Sequence, residues 1–492
     1  MTLRNYQSEL LQALRNKLAG GLRRIIAYLP TGGGKTNVAM EMIVRHLGKG
    51  GRALFVMHLI ELINQTSIRF DAAGIDHGII QADHWRTNGD KLVQICSIQS
   101  LNARRYLPES TLIVIDEAHH AVAPTYRKFI ARNSALPIIG LTATPFAKGM
   151  ARHDENIGGP IWQDIASVVT IRSLIDQGFL VDCDVYAPCD PDLTGVVVTG
   201  GDYNEAQLAE RMDTAPLVGD IPLHWMRLAK GLTTVCFAVD IPHSMHIVEQ
   251  FCQRGIPAEH IDYRTPTDER TAILARLRNH ETLVVSNCSV LSEGFDLPTM
   301  GCMILARPTR SLIRYIQMVG RALRPCEGKA KALILDHSGT CQRLGFPTDD
   351  LPLLLDDGKP KVSSKGVREP RLPAVCSICS YVKQVGVHAC PACGFAPERQ
   401  NTTITTAGEL ELVRRPQTQE DKQAVYSQLL GMQRQFGYSP GWVGHKYREY
   451  FGVWPRGLVD IAKRPSPALS SWVRSRNIRF AKARAKEEGQ HA

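Results

Sequence analysis

The sequence predicts an α/β protein: two tandem units, each a parallel sheet covered by helices, then a small cysteine-bearing module and a mainly helical, basic C-terminal region. Three observations predict it. The chain has 492 residues, several times what one ordinary core needs. Between residue 25 and about residue 340, short β-rich apolar runs alternate with stretches of helical period, the pattern of strands buried on both faces. The runs also fall into two sets, at 24–29, 53–57, 112–115 and 138–141, and then at 234–238, 283–286, 302–305 and 332–335.

On this reading residues 1–180 are the first α/β domain and 221–345 the second. Residues 181–220, rich in Asp, Gly, Pro and Thr and without sustained period, are expected to connect them. Residues 346–375 mix Pro, Gly and charge as an exposed linker does; 376–400 carry the cysteine module and 401–492 the basic region. Hydrophobic residues make up 44% and charged residues 22%, an ordinary globular mixture, and no apolar run is long enough to span a bilayer. The polar N-terminus lacks the apolar stretch of a secretory signal, so the cytosol is the expected compartment.

Nine of the thirteen cysteines are scattered singly, which fits reduced thiols rather than a disulfide framework. Net charge is +10, and from residue 401 onward fifteen basic residues face eight acidic ones. The excess sits mostly in the tail and favours a polyanion such as nucleic acid, with no membrane partner.

The strand ending at Leu29 runs into Pro30-Thr31-Gly32-Gly33-Gly34-Lys35-Thr36, and a helical period follows. Glycines let the backbone wrap a phosphate with its N–H groups turned inward, and the helix N-terminus adds partial positive charge. Lys35 is placed to reach β- and γ-phosphates and Thr36 to hold Mg²⁺. The run at 112–115 then delivers Asp116 and Glu117 at a strand end, where ligand sites of such sheets lie. Asp116 suits Mg²⁺, and Glu117 suits a water attacking the γ-phosphate of ATP.

PTGGGKT and the Asp116–His119 sequence DEAH resemble motifs I and II of the superfamily 2 helicases, the DEAD/DEAH-box proteins in the broad sense, whose fold is a pair of RecA-like domains. Other segments resemble that family's elements in order. Arg4-Asn5-Tyr6-Gln7 resembles the one in which a glutamine, here Gln7, recognises adenine. Thr142-Ala143-Thr144-Pro145 resembles motif III. Ser292-Glu293-Gly294-Phe295-Asp296 resembles motif V, which implies that Gly294 and Asp296 serve the nucleotide. Gln317-Met318-Val319-Gly320-Arg321-Ala322-Leu323-Arg324 resembles motif VI. The resemblance implies catalytic roles for Gln317, Arg321 and Arg324, the two arginines lying at i, i+3 on one helix face and meeting the γ-phosphate. Residues 58–65 and 97–100 resemble motifs Ia and Ib, which in this family grip a nucleic-acid backbone without reading bases.

Cys376, Cys379, Cys390 and Cys393 form two C-x2-C knuckles ten residues apart, a spacing that presents four thiolates to a structural Zn²⁺. A motor core followed by such a module resembles the bacterial RadD-type branch and helicase-like proteins of phages. That layout implies DNA rather than RNA, replication or repair proteins as partners, and the bacterial or infected-host cytosol. The aromatic residues between Tyr438 and Trp454 fit the core of a small helical domain better than a stacking surface, and the basic end from Arg474 is the better nucleic-acid candidate. The expected function is an ATP hydrolase that moves along or unwinds DNA. A duplex translocase and a DNA-binding, partner-recruiting protein with a switch-like ATPase stand as alternatives.

Overall fold

The computed structural model describes residues 3–58, 60–187, 191–292, 297–359, 372–397 and 418–488. Contacts divide the chain into two compact units, residues 1–398 and 399–492.

The first unit holds both sheets. In the first lobe, strands β1 (Arg24–Tyr28), β2 (Ala53–Met57), β3 (Gly78–Ile80), β4 (Val93–Ser97), β5 (Leu112–Ile115), β6 (Ile138–Thr142) and β7 (Asp164–Ala166) pair in the order β3-β4-β2-β5-β6-β1-β7. Every pairing is parallel. Strands β1, β2, β4, β5 and β6 are buried along their whole length, which is why they read as continuous apolar runs rather than alternating ones. The order matters for function. Because β5, β6 and β1 are neighbours, their C-terminal ends place Asp116, Thr142 and the 30–36 loop side by side.

The second lobe has strands β8 (Asp182–Tyr186), β9 (Thr234–Phe237), β10 (Ala258–Ile261), β11 (Val284–Asn287), β12 (Cys302–Leu305) and β13 (Lys331–Asp336), in the order β8-β13-β12-β9-β11-β10 and again all parallel. Residues 181–220, expected to be a connector, are instead largely part of this lobe. Residues 182–186 form its edge strand β8, and helices Glu205–Met212 and Ala215–Leu228 follow. An edge strand with one wet face alternates in burial, and two aspartates on that face hide the strand in the sequence.

The expected linker 346–375 also begins as packed structure. Phe346 is buried, Leu351 and Leu355 lean on apolar clusters, and Asp356 lands on the first lobe. There its carboxylate accepts from the Gly149 N–H at 2.9 Å and its carbonyl from the Ala151 N–H at 2.8 Å. The chain therefore passes from first lobe to second at residues 177–181 and touches back at 356. One apolar cluster continues from lobe to lobe through Leu180, Ile316, Val319 and Leu323.

Among the described residues the second unit holds helices Gln419–Phe436, Trp442–Phe451 and Pro467–Glu488. Thr418 caps the first of them in a capping box with Asp421, and Gly437 ends it at φ 67°. Leu429, Met432, Val443, Tyr447, Leu469 and Val473 form its core. Among the described residues no helix is long and apolar enough to cross a membrane.

Candidate functional site

The phosphate loop follows β1. Gly34 takes the left-handed conformation at φ 82°, and a Cβ there would stand 2.4 Å from the Gln7 side-chain nitrogen, so glycine is required on both counts. Lys35 begins the next helix, Lys35–Leu47, whose first turn also carries Thr36. Gln7 is buried, and its amide donates to the Gly33 carbonyl at 3.0 Å, as does the Tyr6 hydroxyl at 3.0 Å.

Lys35 Nζ donates to Glu117 Oε1 at 2.8 Å. Glu117 stands in the left-handed region at φ 45°, a conformation that costs a side-chain-bearing residue about 1–3 kcal/mol and that clusters at functional sites. Burial alone would raise the Glu117 carboxyl, but Lys35 and His119 outweigh it and hold the carboxyl well below its usual range. Asp116 goes the other way. Burial first, then the neighbouring Glu117 charge, push it up to about 6. Two adjacent carboxylates with one lysine carry surplus negative charge, and that donor set, with the Thr36 hydroxyl, fits a divalent cation such as Mg²⁺.

His119 is a residue without a role in the sequence analysis. Its Nδ1 lies 3.4 Å from Glu117 Oε2, 3.1 Å from Thr142 Oγ1 and 3.3 Å from Thr144 Oγ1. A continuous polar chain thus runs from Lys35 through Glu117 and His119 to the threonines at the end of β6. The third residue after the aspartate was in plain view, but its contacts come from a strand more than twenty residues away.

The second lobe reaches this loop with the helix Leu312–Ala322, on which Gln317 and Arg321 are buried. Gly320 meets Thr31 directly: a Cβ on Gly320 would lie 2.5 Å from the Thr31 Cβ. Pro30 and Thr31 share a crevice with Ile316, Val319, Gly320 and Leu323. Arg324, expected on the helix with Arg321, lies just beyond it, because the helix ends at Ala322 with Leu323 as its cap. Arg324 precedes Pro325, and a residue before proline is disfavoured in helical conformation. It nonetheless reaches the loop, its Cγ 3.5 Å from where a Gly32 Cβ would be. Gly294 and Asp296 lie outside the described residues. Of the expected nucleic-acid elements, Ser97 caps the helix Ile98–Ala103, and the Gln99 amide donates to the His58 carbonyl at 3.4 Å.

Residues 1–147 match the family described as type III restriction enzyme, res subunit, and residues 224–326 match the helicase conserved C-terminal domain. Both halves of a helicase motor are present in order, one to each lobe. The chain belongs to the superfamily 2 helicases. As a superfamily 2 helicase it is an ATP-hydrolysing nucleic-acid motor. It is 28% identical over 392 residues to a 51.5 kDa protein of a Lactococcus phage, covering 78% of this chain and 81% of that one. It is 29% identical over 379 residues to the IRC3 protein of Saccharomyces cerevisiae, which carries the name of an ATP-dependent helicase; there it covers 71% of this chain but 54% of the yeast protein. Among solved structures, the ATP-dependent Type ISP restriction-modification enzyme LlaBIII bound to DNA shares the fold at TM-score 0.52 and 18% identity, over 69% of this chain and 28% of that one.

The four knuckle cysteines form a separate cluster. Their sulfurs all lie within 4.8 Å of one another, with Cys376–Cys393 and Cys379–Cys390 each at 3.6 Å. Four thiolates 2.3 Å from a tetrahedral zinc stand about 3.8 Å apart, so the set fits that metal. Backbone N–H groups of Cys379 and Ile378 hold the Cys376 thiol below its ordinary value, as suits a thiolate ligand. The knuckle docks on β8: Ser380 accepts from the Ala187 N–H at 2.9 Å, the Tyr381 hydroxyl donates to Asp184 at 3.1 Å, and the Tyr186 and Tyr381 rings meet edge to face.

Proposed function

We propose that the chain hydrolyses ATP between its two lobes and uses the cycle to move along DNA, separating strands in replication, recombination or repair. The observation that carries this reading is the seating of Gly320, from the second lobe, on Thr31 of the phosphate loop in the first. A helix held that close can add its arginines to a phosphate gripped from the other side.

The roles follow from position. Backbone N–H groups of residues 32–36 cradle the phosphates beside Pro30 and Thr31, and Gln7 borders the loop where adenine enters. Lys35, now paired with Glu117, exchanges that partner for the β- and γ-phosphates. The exchange frees Glu117 to polarise water. Asp116 and Thr36 would hold Mg²⁺, which neutralises phosphate charge when bound. Arg321 and Arg324 stabilise the charge of the transition state, with Gln317 beside them. Gly294 and Asp296 are proposed at the same cleft from the resemblance of their segment alone. His119 ties Glu117 to Thr142 and Thr144, a route by which loss of the γ-phosphate is felt outside the nucleotide site. Zinc at the four cysteines is structural, since four thiolates leave no open position.

The test measures ATP hydrolysis with no nucleic acid, single strand, duplex and fork, alongside strand displacement, with Lys35→Ala as control. Stimulation together with displacement is the expected result. Stimulation by duplex without displacement would make the protein a duplex translocase. No stimulation by any nucleic acid would overturn the motor cycle in favour of a switch-like ATPase.

A further inference from the structure

The helical unit carries a pocket of about 540 Å³ that the motor reading leaves without a role. Lys422, Arg448 and Arg456 line it with Trp454, and among the described residues no acidic side chain does. Trp454 is fixed rather than loose. The Arg448 guanidinium lies 5.0 Å from its ring centroid, His445 meets it edge-on at 5.2 Å, and a Cβ on Gly444 would stand 3.3 Å from its Cζ3, so the indole rests on the helix Trp442–Phe451. Yet 44% of Trp454 stays exposed. An indole held for core packing would be covered, as Tyr447 on the same helix is.

We propose that this pocket binds single-stranded nucleic acid, one base stacking on Trp454 and the flanking phosphates held by Lys422, Arg448 and Arg456. A rigid aromatic face among cations matches the alternation of base and phosphate along a strand. An acidic protein segment would use the cations but gain little from the flat face. The sequence alone pointed to the basic end of the tail; the pocket adds a built site upstream of it. Only the choice of ligand rests on the nucleic-acid motor reading.

The experiment titrates full-length protein into fluorescently labelled oligo(dT), without ATP, across a salt series. The affinity readout needs no hydrolysis, so it stands whether or not ATP turnover responds to nucleic acid. Trp454→Ala is expected to weaken binding about ten-fold with the salt slope unchanged. The pair Arg448→Ala and Arg456→Ala is expected to make the slope shallower by about 1.4. Arg456→Glu alters one exposed side chain and guards against misfolding; it should weaken binding while the thermal transition stays in place. Unchanged affinity and slope in all three proteins overturn the proposal and leave the pocket to an acidic protein ligand.

Discussion

The two motor lobes are built on the same plan of parallel strands, yet they arrange their buried charge differently. The first lobe keeps charge inside: Lys35, Glu117 and Asp116 crowd the ends of neighbouring strands, and Glu117 sits in a strained backbone conformation. The second lobe disperses its buried polar groups: Arg307 is paired with Glu205, and a buried histidine is held neutral. His243 is almost wholly buried, its ring nitrogen accepts from the Val239 N–H at 3.3 Å, and its pKa is lowered to about 4. A lobe that binds a charged nucleotide must hold charge ready, at a cost in stability. A lobe that closes on it can spread its inner charge and bring arginines to the nucleotide on one helix.

The sharpest way to break this division is to remove the charge that each lobe contributes. Lys35→Ala and Arg321→Ala are each expected to lower ATP turnover by about a thousand-fold or more, with folding intact by thermal melting. Full turnover in Arg321→Ala would leave the second lobe without a chemical part.

The next test uses acid. Burial lowers the His243 pKa, His246 lowers it further, and Asp213 and Asp240 oppose them. A histidine depressed in the folded state contributes stability that is complete above its unfolded value of about 6.5 and is lost as pH falls towards 4. That contribution is on the order of 3 kcal/mol. Unfolding by denaturant at pH 7 and pH 4.5 should show His243→Gln losing much less stability than the parent across that window.

Gly320→Ala sharpens the contact itself. The added methyl group cannot fit against Thr31, so the arginines withdraw, and turnover should fall about a hundred-fold while ATP still binds. The smallest effect is expected at the metal. Cys390→Ser should lower bound zinc and cost the second lobe about 2 kcal/mol, through the lost Tyr381–Asp184 hydrogen bond and the Tyr186–Tyr381 ring contact. Unchanged zinc content would remove the metal from the knuckle.

What could be read in the chain beforehand was whatever is local. The strand, loop and helix around Lys35 follow from a buried run, glycines and a helical period, and the cysteine knuckles follow from spacing alone. Strand β8 escaped because its outward aspartates and its partner, 149 residues downstream at Lys331, mask it. The stretch leading to Asp356 escaped because two leucines and two bonds to Asp356, one at its carboxylate and one at its carbonyl, hold it, and its composition is that of a loop. His119 showed its position but not its partners. Arg324 was misplaced because helical spacing was extended two residues too far, up to a proline that disfavours it.

The return of residue 356 to the first lobe has a mechanical corollary. Two bodies joined at one place can swivel freely, whereas two joined at separated places turn only about the line through both. With the chain passing at 177–181 and pinned again at 356, any rotation of one lobe against the other that keeps both attachments is confined to the line through them, like a gate on two pins.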